Sequence, residues 1–352
     1  MKKFKLLVGQ NLLQLIILLF LSFLMVTAFM IDIPLMGLLN DSLNRLFMNG
    51  VLVLSLIPML NSGAGINYGL PIGISAGLLG MCLSVNLKLT GYIGFLAAVT
   101  FSLPISIVFG YSYGMVLNKL KGKEEIAGVF IGFSFVFIMS LFWSIAPFNN
   151  PQMLWPIGGH GLRPTIGLNN YFAKILNNLW LINIGQFKIS IGFLITFLIL
   201  CLMVYLFFKT KIGLAISVTG ENETFARLAG INVSAMRILS TVLSTALGAV
   251  GICVYAQSYG FIELYEAPLM MAFPAASAIL IGGSTGRKAS VRNVIIGTFL
   301  FQSVYVITGP VANTMLAPGV SEILRTVITN GIILYALLYE GGKTSIEQKY
   351  YY

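Results

Sequence analysis

The chain alternates between long apolar runs and short polar turns. A helix needs about 20 mostly apolar residues to cross a bilayer core. Ten runs approach that length: 8–31, 46–61, 68–87, 90–117, 126–146, 189–208, 235–257, 268–284, 290–309 and 320–339. The second and eighth are short and carry Pro58 and Pro274, which predicts broken or re-entrant helices there. The alternating ten-residue segments of a membrane barrel do not dominate anywhere. The pattern therefore predicts an all-α membrane protein, a single transmembrane domain over 1–352 with about ten transmembrane helices.

Composition agrees with this reading. The residues are 57% hydrophobic and 9% charged, with a mean hydropathy of +0.91, whereas a soluble domain carries roughly a quarter charged residues. The N-terminal apolar run is longer than the core of a signal peptide, so it reads as a retained first span. Cys82, Cys201 and Cys253 sit in apolar runs and read as small buried hydrophobes rather than a disulfide framework. His160 is the only histidine and has no cysteine or carboxylate cluster beside it, so no metal site is expected.

Charge orients the spans. Positive residues concentrate on the cytoplasmic side of membrane proteins. With the N-terminus inside, the inner turns receive Lys2, Lys3, Lys5, Lys119, Lys121, Lys123, Lys209, Lys211, Arg227, Arg237, Arg287, Lys288, Arg292, Lys343 and Lys349. The outer turns receive Arg45, Lys88, Arg163, Lys174, Lys188 and Arg325. Both termini are therefore expected in the cytoplasm. The formal charge of +10 reads as a topology signal and as attraction to anionic membrane lipid, with no nucleic acid required. The Gly-, Pro- and Asn-rich stretch 147–188 is then an extracellular loop, with Trp155 and Trp180 as interface anchors. It joins halves of about 1–146 and 189–340. Five spans per half inverts the second half relative to the first, an arrangement that places a solute path at the interface of the halves.

One inner segment is unusually polar: "KTKIGLAISVTGENETFARLAGINVSAMR", Lys209 to Arg237. Within it "GENETFARLAGI" predicts a short helix. Asn222 is its N-cap, Glu223 and Arg227 complement the dipole, and Gly230 stops it. Phe225, Leu228 and Ala229 share one face. A two-turn helix is unstable alone, so that face needs either lipid headgroups or a protein groove.

The same residues carry a resemblance. Gly220, Glu221, Asn222, Ala226, Arg227, Ala229, Gly230, Ile231 and Asn232 resemble the coupling segment, about 209–234, of ABC importer permeases in the ribose, simple-sugar, nucleoside and branched-chain amino acid family. "GAGINYGLPIGISAGLLG" (63–80) resembles that family's early glycine-rich motif, although many sugar permeases carry aspartate at the place of Asn67. "ASAILIGGSTGRKASVRNVIIGTFLFQ" (276–302) resembles its late motif. The resemblance implies a permease subunit of a prokaryotic cell membrane. Its partners would be a cytoplasmic ABC ATPase, a second permease subunit (identical or related) and an extracellular substrate-binding protein. ATP and Mg would be bound by the ATPase and no cofactor by this chain.

For the solute path, the sequence offers Glu263 and Glu266 with Tyr259 and Tyr265 near the outer end of the seventh span. A helix there would place the two acids side by side. They bind solute or are a solvated loop. Asn61, Ser62, Asn67 and Tyr68 form a polar group in the first half, and Gln257 and Gln302 lie at membrane depth. Gly69, Gly73, Gly77 and Gly80 recur at helical spacing, which suits close helix packing. No phosphate loop and no nucleophile–base pair is present, so the chain is expected to be no enzyme. The expected solute is a simple sugar or nucleoside. The alternatives are a branched-chain amino acid, an ion-coupled secondary transporter, or an enzyme acting on lipid-linked substrates.

Overall fold

The computed structural model describes residues 12–156, 159, 161–184, 187–286, 288–315 and 318–350. Lys2, Lys3, Lys5, His160 and Arg287 lie outside the described residues. The chain runs through α1 (Leu12–Met30), α2 (Leu35–Leu54), α3 (Ile57–Asn61), α4 (Leu70–Asn86), α5 (Gly91–Lys119) and α6 (Glu124–Ile145). A loop region follows with β1 (Thr165–Gly167), α7 (Ile175–Asn178), β2 (Leu181–Ile184) and β3 (Phe187–Ser190). The second half comprises α8 (Ile191–Phe207), α9 (Lys211–Glu221), α10 (Glu223–Leu228), α11 (Val233–Tyr259) and β4 (Phe261–Glu263). It continues through a 3₁₀ turn (Ala267–Met270), α12 (Ala272–Ile281), α13 (Val291–Met315) and α14 (Pro318–Tyr350).

Each of the ten predicted spans coincides with a helix. Among the described residues seven helical spans are long and apolar enough to cross a membrane, and α8 with α9, bent by 73°, makes an eighth. The apolar helices α4 and Leu269–Ile281 are shorter. One expectation is corrected: the second span is not short. It runs over Leu35–Asn61, broken at Ser55–Leu56, because α2 begins in a stretch where Asn40, Asp41, Asn44 and Arg45 dilute the hydropathy. The third, α4, is the short one, at 17 residues.

Contacts sort the loops onto two faces. Lys121 pairs with Glu223 at 2.7 Å, Lys288 with Glu221 at 3.1 Å, and Asn61 brackets the backbone of Ala289. The turns near 61–69, 119–123, 209–232 and 282–290 therefore share one face, called the basic face below. On the far face Asn150 donates to the Val85 carbonyl, Gly91 N–H donates to Tyr171 O, and β1 pairs antiparallel with β4. The chain thus changes face along α4, α5, α6, α8 and α11, while α7 stays at the far face and α9 and α10 at the basic face.

Helix α4 is buried along almost its whole length and its glycines explain how. A Cβ on Gly73 would meet the Thr245 carbonyl oxygen at 2.7 Å, and one on Gly77 the Ala249 oxygen at 2.5 Å, both on α11. A Cβ on Gly80 would meet Ala98 O on α5 at 2.5 Å. Small residues let backbones approach in a solvent that gives helices no hydrophobic reason to associate. Cys82, Cys201 and Cys253 are buried free thiols.

Candidate functional site

The polar segment on the basic face folds as its sequence predicts. The Asn222 side chain caps α10 by accepting from Phe225 N–H at 2.9 Å, and Gly230 takes the left-handed conformation, φ 76°, that ends it. Ala226 is fully buried and faces the bundle. Glu223 accepts from Lys121 at 2.7 Å, pairs with Arg227 one turn on, and lies 3.6 Å from Arg237. Arg237 in turn donates to Glu124 at 2.9 Å, both largely buried side chains. Just upstream, Gly220 lies directly on the 61–63 turn: a Cβ there would sit 2.3 Å from Asn61 O. The helix is thus pinned on one side. On the other, Phe225 is 58% and Leu228 83% exposed, and Glu221, Asn222, Arg227, Ala229 and Gly230 lie exposed around them.

Lys121 above all, then Arg227 and Arg237, hold the Glu223 carboxyl down at about 2, with partial burial opposing them. A depressed carboxyl pKa contributes stability above the ordinary value near 4.5, lost as pH falls toward 2. Glu223→Gln removes the charge at any pH. We expect faster proteolysis and amide exchange over 222–230 in that variant near neutral pH, with the difference from wild type shrinking as pH falls through about 4.5 and gone only below about pH 2. Equal protection near neutral pH would show that these ion pairs do not hold α10.

A second feature opens toward the far face: a cavity of about 280 Å³ lined by α2, α11, β4, the 3₁₀ turn, α12, α13 and α14. From its mouth inward it presents Glu263, Arg45 and Tyr305, then Asn49 and Gln302, then Leu52, Val53, Pro274, Ala275 and Phe301, with Tyr255 and Thr329 on its walls. Arg45 has its guanidinium 4.9 Å from the Tyr305 ring centre, and Arg325 lies 4.8 Å from the same centre. Among the described residues neither Arg45 nor Glu263 has an ion-pair partner within salt-bridge distance, and both border the cavity. Ionisable groups at membrane depth that face a cavity mark solute paths.

The cavity gathers only part of the predicted path. Glu263 and Gln302 line it. Glu266 is exposed, and no helix sets it beside Glu263, because β4 and a turn with Tyr265 at φ 58° separate them. Tyr259 stacks on Phe261 at 4.2 Å. Gln257 is buried and fully bonded to Asn177, Val254 O and Leu176 N–H, fastening α7. In the first half, Asn61 and Ser62 belong to the basic face, Ser62 accepting from Ser240 at 2.8 Å. Asn67 is buried between Ser244 and Tyr113, and Tyr68 packs on Phe273. Sequence reasoning missed Arg45, Asn49, Tyr255, Tyr305 and Thr329. Arg45 was legible as a charge ten residues into a helix, had the second span been started at Leu35.

Seven or eight apolar spans and two shorter apolar helices around an apolar core, with a small helix held out from one face, describe a membrane-spanning permease. The sequence model of the family described as "Branched-chain amino acid transport system / permease component" matches residues 11–339, and the chain belongs to that family. It is 25% identical over 246 residues to the nucleoside ABC transporter permease protein NupC of Lactococcus lactis subsp. cremoris (strain MG1363), covering 68% of this chain and 71% of that one. It is 32% identical over 155 residues to the ABC transporter permease protein YphD of Escherichia coli (strain K12), covering 44% and 45%. The autoinducer 2 import system permease protein LsrC of Escherichia coli (strain SMS-3-5 / SECEC) is 23% identical over 249 residues, covering 70% and 64%. The chain is thus a multi-pass permease of that family in a prokaryotic membrane, and the relatives it matches are permease subunits of transport systems.

Proposed function

We propose that this chain moves a small hydroxylated solute, a simple sugar or nucleoside, through the cell membrane. ATP hydrolysis in a partner ATPase supplies the work, with ATP and Mg bound there. The observation that carries this reading is the exposed Phe225–Leu228 face on a helix pinned by Glu223 and Ala226. A rigid apolar ridge on the basic face is what an ATPase groove could grip, and a pinned helix transmits force. The basic face is then cytoplasmic and the 147–188 loop extracellular. A substrate-binding protein delivers solute to the cavity mouth, and a second permease subunit completes the membrane unit. NupC and LsrC are named for nucleoside and autoinducer 2 transport, and that supports the choice of solute. Planar polar side chains beside tyrosine rings suit a ring with hydroxyls on its edge and carbons on its face.

The test is reconstitution with the ATPase and binding protein expressed from the same locus, and uptake of labelled nucleosides and sugars. Uptake should require ATP and fall about tenfold or more in Glu263→Gln and in Arg45→Gln, the cost of one or two lost charged hydrogen bonds. Uptake driven by an ion gradient without ATP would identify a secondary transporter instead.

A further inference from the structure

Arg237, near the start of α11, stands between carboxylates carried by two different elements. Its Nη1 donates to Glu124 of α6 at 2.9 Å, while its Nη2 lies 3.6 Å from Glu223 of α10. The first contact is a hydrogen bond, and the second is an ion pair too long for one. The Nε–H of the same guanidinium is buried with no partner. A guanidinium is a planar fork of donors matched to carboxylates. Here the fork is used unevenly: full on Glu124, incomplete on Glu223 and empty at Nε. There is room on the Glu223 side, where a cavity of about 310 Å³ is bordered by Gly63, Gly220, Glu223 and Arg237.

The two carboxylates belong to different bodies. Glu223 moves with α10 and its exposed Phe225–Leu228 face. Glu124 opens α6, and its neighbour Glu125 accepts from Ile66 N–H at 3.0 Å. The start of α6 therefore also holds the 63–66 turn, on which Gly220 rests. Helix α6 lies on the rim of the bundle: it buries a stripe of Gly128, Gly132, Val136, Met139 and Trp143, while Phe130, Phe137, Leu141 and Ile145 face outward. Its shift disturbs less core than a shift of the buried α4 would. A second unsatisfied atom marks the same joint. Asn118, one turn before the α5–α6 turn, donates its Nδ2 to Ser234 at the start of α11, but its Oδ1 is buried without a partner. Buried polar groups left unpaired are costly, and two of them at one joint point to a second arrangement that uses them.

We propose that Arg237 is a positioning residue that carries the movement of α10 to α6 by exchanging one carboxylate for the other. In this structure it is bound to Glu124. When the ATPase displaces α10, the guanidinium turns into the cavity and binds Glu223, and the start of α6 is released. The exchange keeps the guanidinium paired in both states, so neither leaves an uncompensated buried cation. A joint with two discrete arrangements is what a coupling movement needs. The inference rests on the reading of α10 as the ATPase contact.

Glu124→Gln tests the exchange, because it leaves Arg237 only Glu223 to pair with. Two results are expected together. In the full-length permease, amide exchange over 222–230 slows about tenfold near neutral pH, as α10 gains a charged hydrogen bond. That is the opposite sign to Glu223→Gln. In proteoliposomes holding the whole transporter, the ATPase co-purifies and hydrolyses ATP as in wild type. The amount moved per ATP, of whichever labelled nucleoside or sugar wild type takes up, falls about tenfold. A Glu124 that merely braces Arg237, and through it α10, forecasts the reverse: exchange over 222–230 quickens. Arg237→Lys is the second variant, in case the first does not fold. A compact ammonium cannot fork between two carboxylates, so solute moved per ATP falls there too while the ATPase stays bound. Faster exchange over 222–230 in Glu124→Gln, or a wild-type ratio of solute to ATP in either variant, overturns the exchange. The docking reading then still stands if Phe225→Ala with Leu228→Ala loses the ATPase. If that double variant keeps the ATPase, the docking reading fails and the exchange fails with it.

Discussion

Phe225→Ala, combined with Leu228→Ala, is expected to abolish co-purification of the ATPase while the permease itself stays folded. Burying a large apolar side chain is worth roughly 1.5–3 kcal/mol, and about 1.4 kcal/mol is a tenfold change in an equilibrium. Phe225 alone should therefore weaken association tenfold or more, and the pair by around a hundredfold where the contributions add. The fold is spared because both side chains already face solvent in the isolated chain, while the anchoring contacts of Ala226, Glu223 and Asn222 are untouched. Size-exclusion behaviour of the double variant should match wild type, and transport should fall with docking. A helix that merely lay on lipid headgroups would give the opposite result: unchanged ATPase recovery in the double variant would falsify the docking assignment.

Gly220→Ala is expected to be nearly as damaging for a different reason. Its new methyl would stand 2.3 Å from Asn61 O and 2.7 Å from Gly63 N. These neighbours are backbone atoms, which cannot swing aside as a side-chain tip would. Gly63 cannot yield easily either, since it holds φ +74° and its own Cβ position faces Gly220 Cα at 2.9 Å. The end of α9 must lift away from the 61–63 turn, at a cost on the order of 1–3 kcal/mol, and α10 lifts with it. The Phe225–Leu228 surface stays intact. The expected signature is therefore uncoupling: the ATPase still co-purifies and still hydrolyses ATP, but uptake drops tenfold or more. Wild-type uptake by Gly220→Ala would show that contact at this crossing does not carry the stroke.

The helices were largely legible because bilayer physics leaves a sequence few options. A helix at each predicted span and the α10 caps at Asn222 and Gly230 followed from apolar length and terminal chemistry, though the second helix starts at Leu35 rather than 46 and only seven or eight are long enough to cross. Errors arose where polar residues sit inside a span. Asp41 and Arg45 hid the start of α2, and with it the cavity residue Arg45. The short strands were invisible for another reason. Nothing local in Thr165–Gly167 or Phe261–Glu263 announces a pairing across about a hundred positions, so the sequence offered a helix or a solvated loop around Glu263 and Glu266 and no strand. The separation of Asn61, Ser62 and Asn67 from the cavity could have been foreseen. The alternation of spans already put residues 61–68 on the opposite side from Glu263.

The β1–β4 pair also bears on how the protein is made. Synthesis runs from the N-terminus, and elements formed first must wait for partners formed later. The crossings through α6 are complete by Ile145, but β1 has no strand to join until Phe261–Glu263 has been translated and carried across the membrane by α11. In the orientation proposed above, β1 must therefore wait on the outer side without its latch while four further helices, α8 to α11, are laid down. When β4 arrives, its register with Thr165 and Gly167 fixes the outer end of α11 and sets Glu263 at the cavity mouth in a single event. A nascent chain truncated before Phe261 would keep its helices in the membrane, but its long loop would be open to protease until the missing strand is supplied.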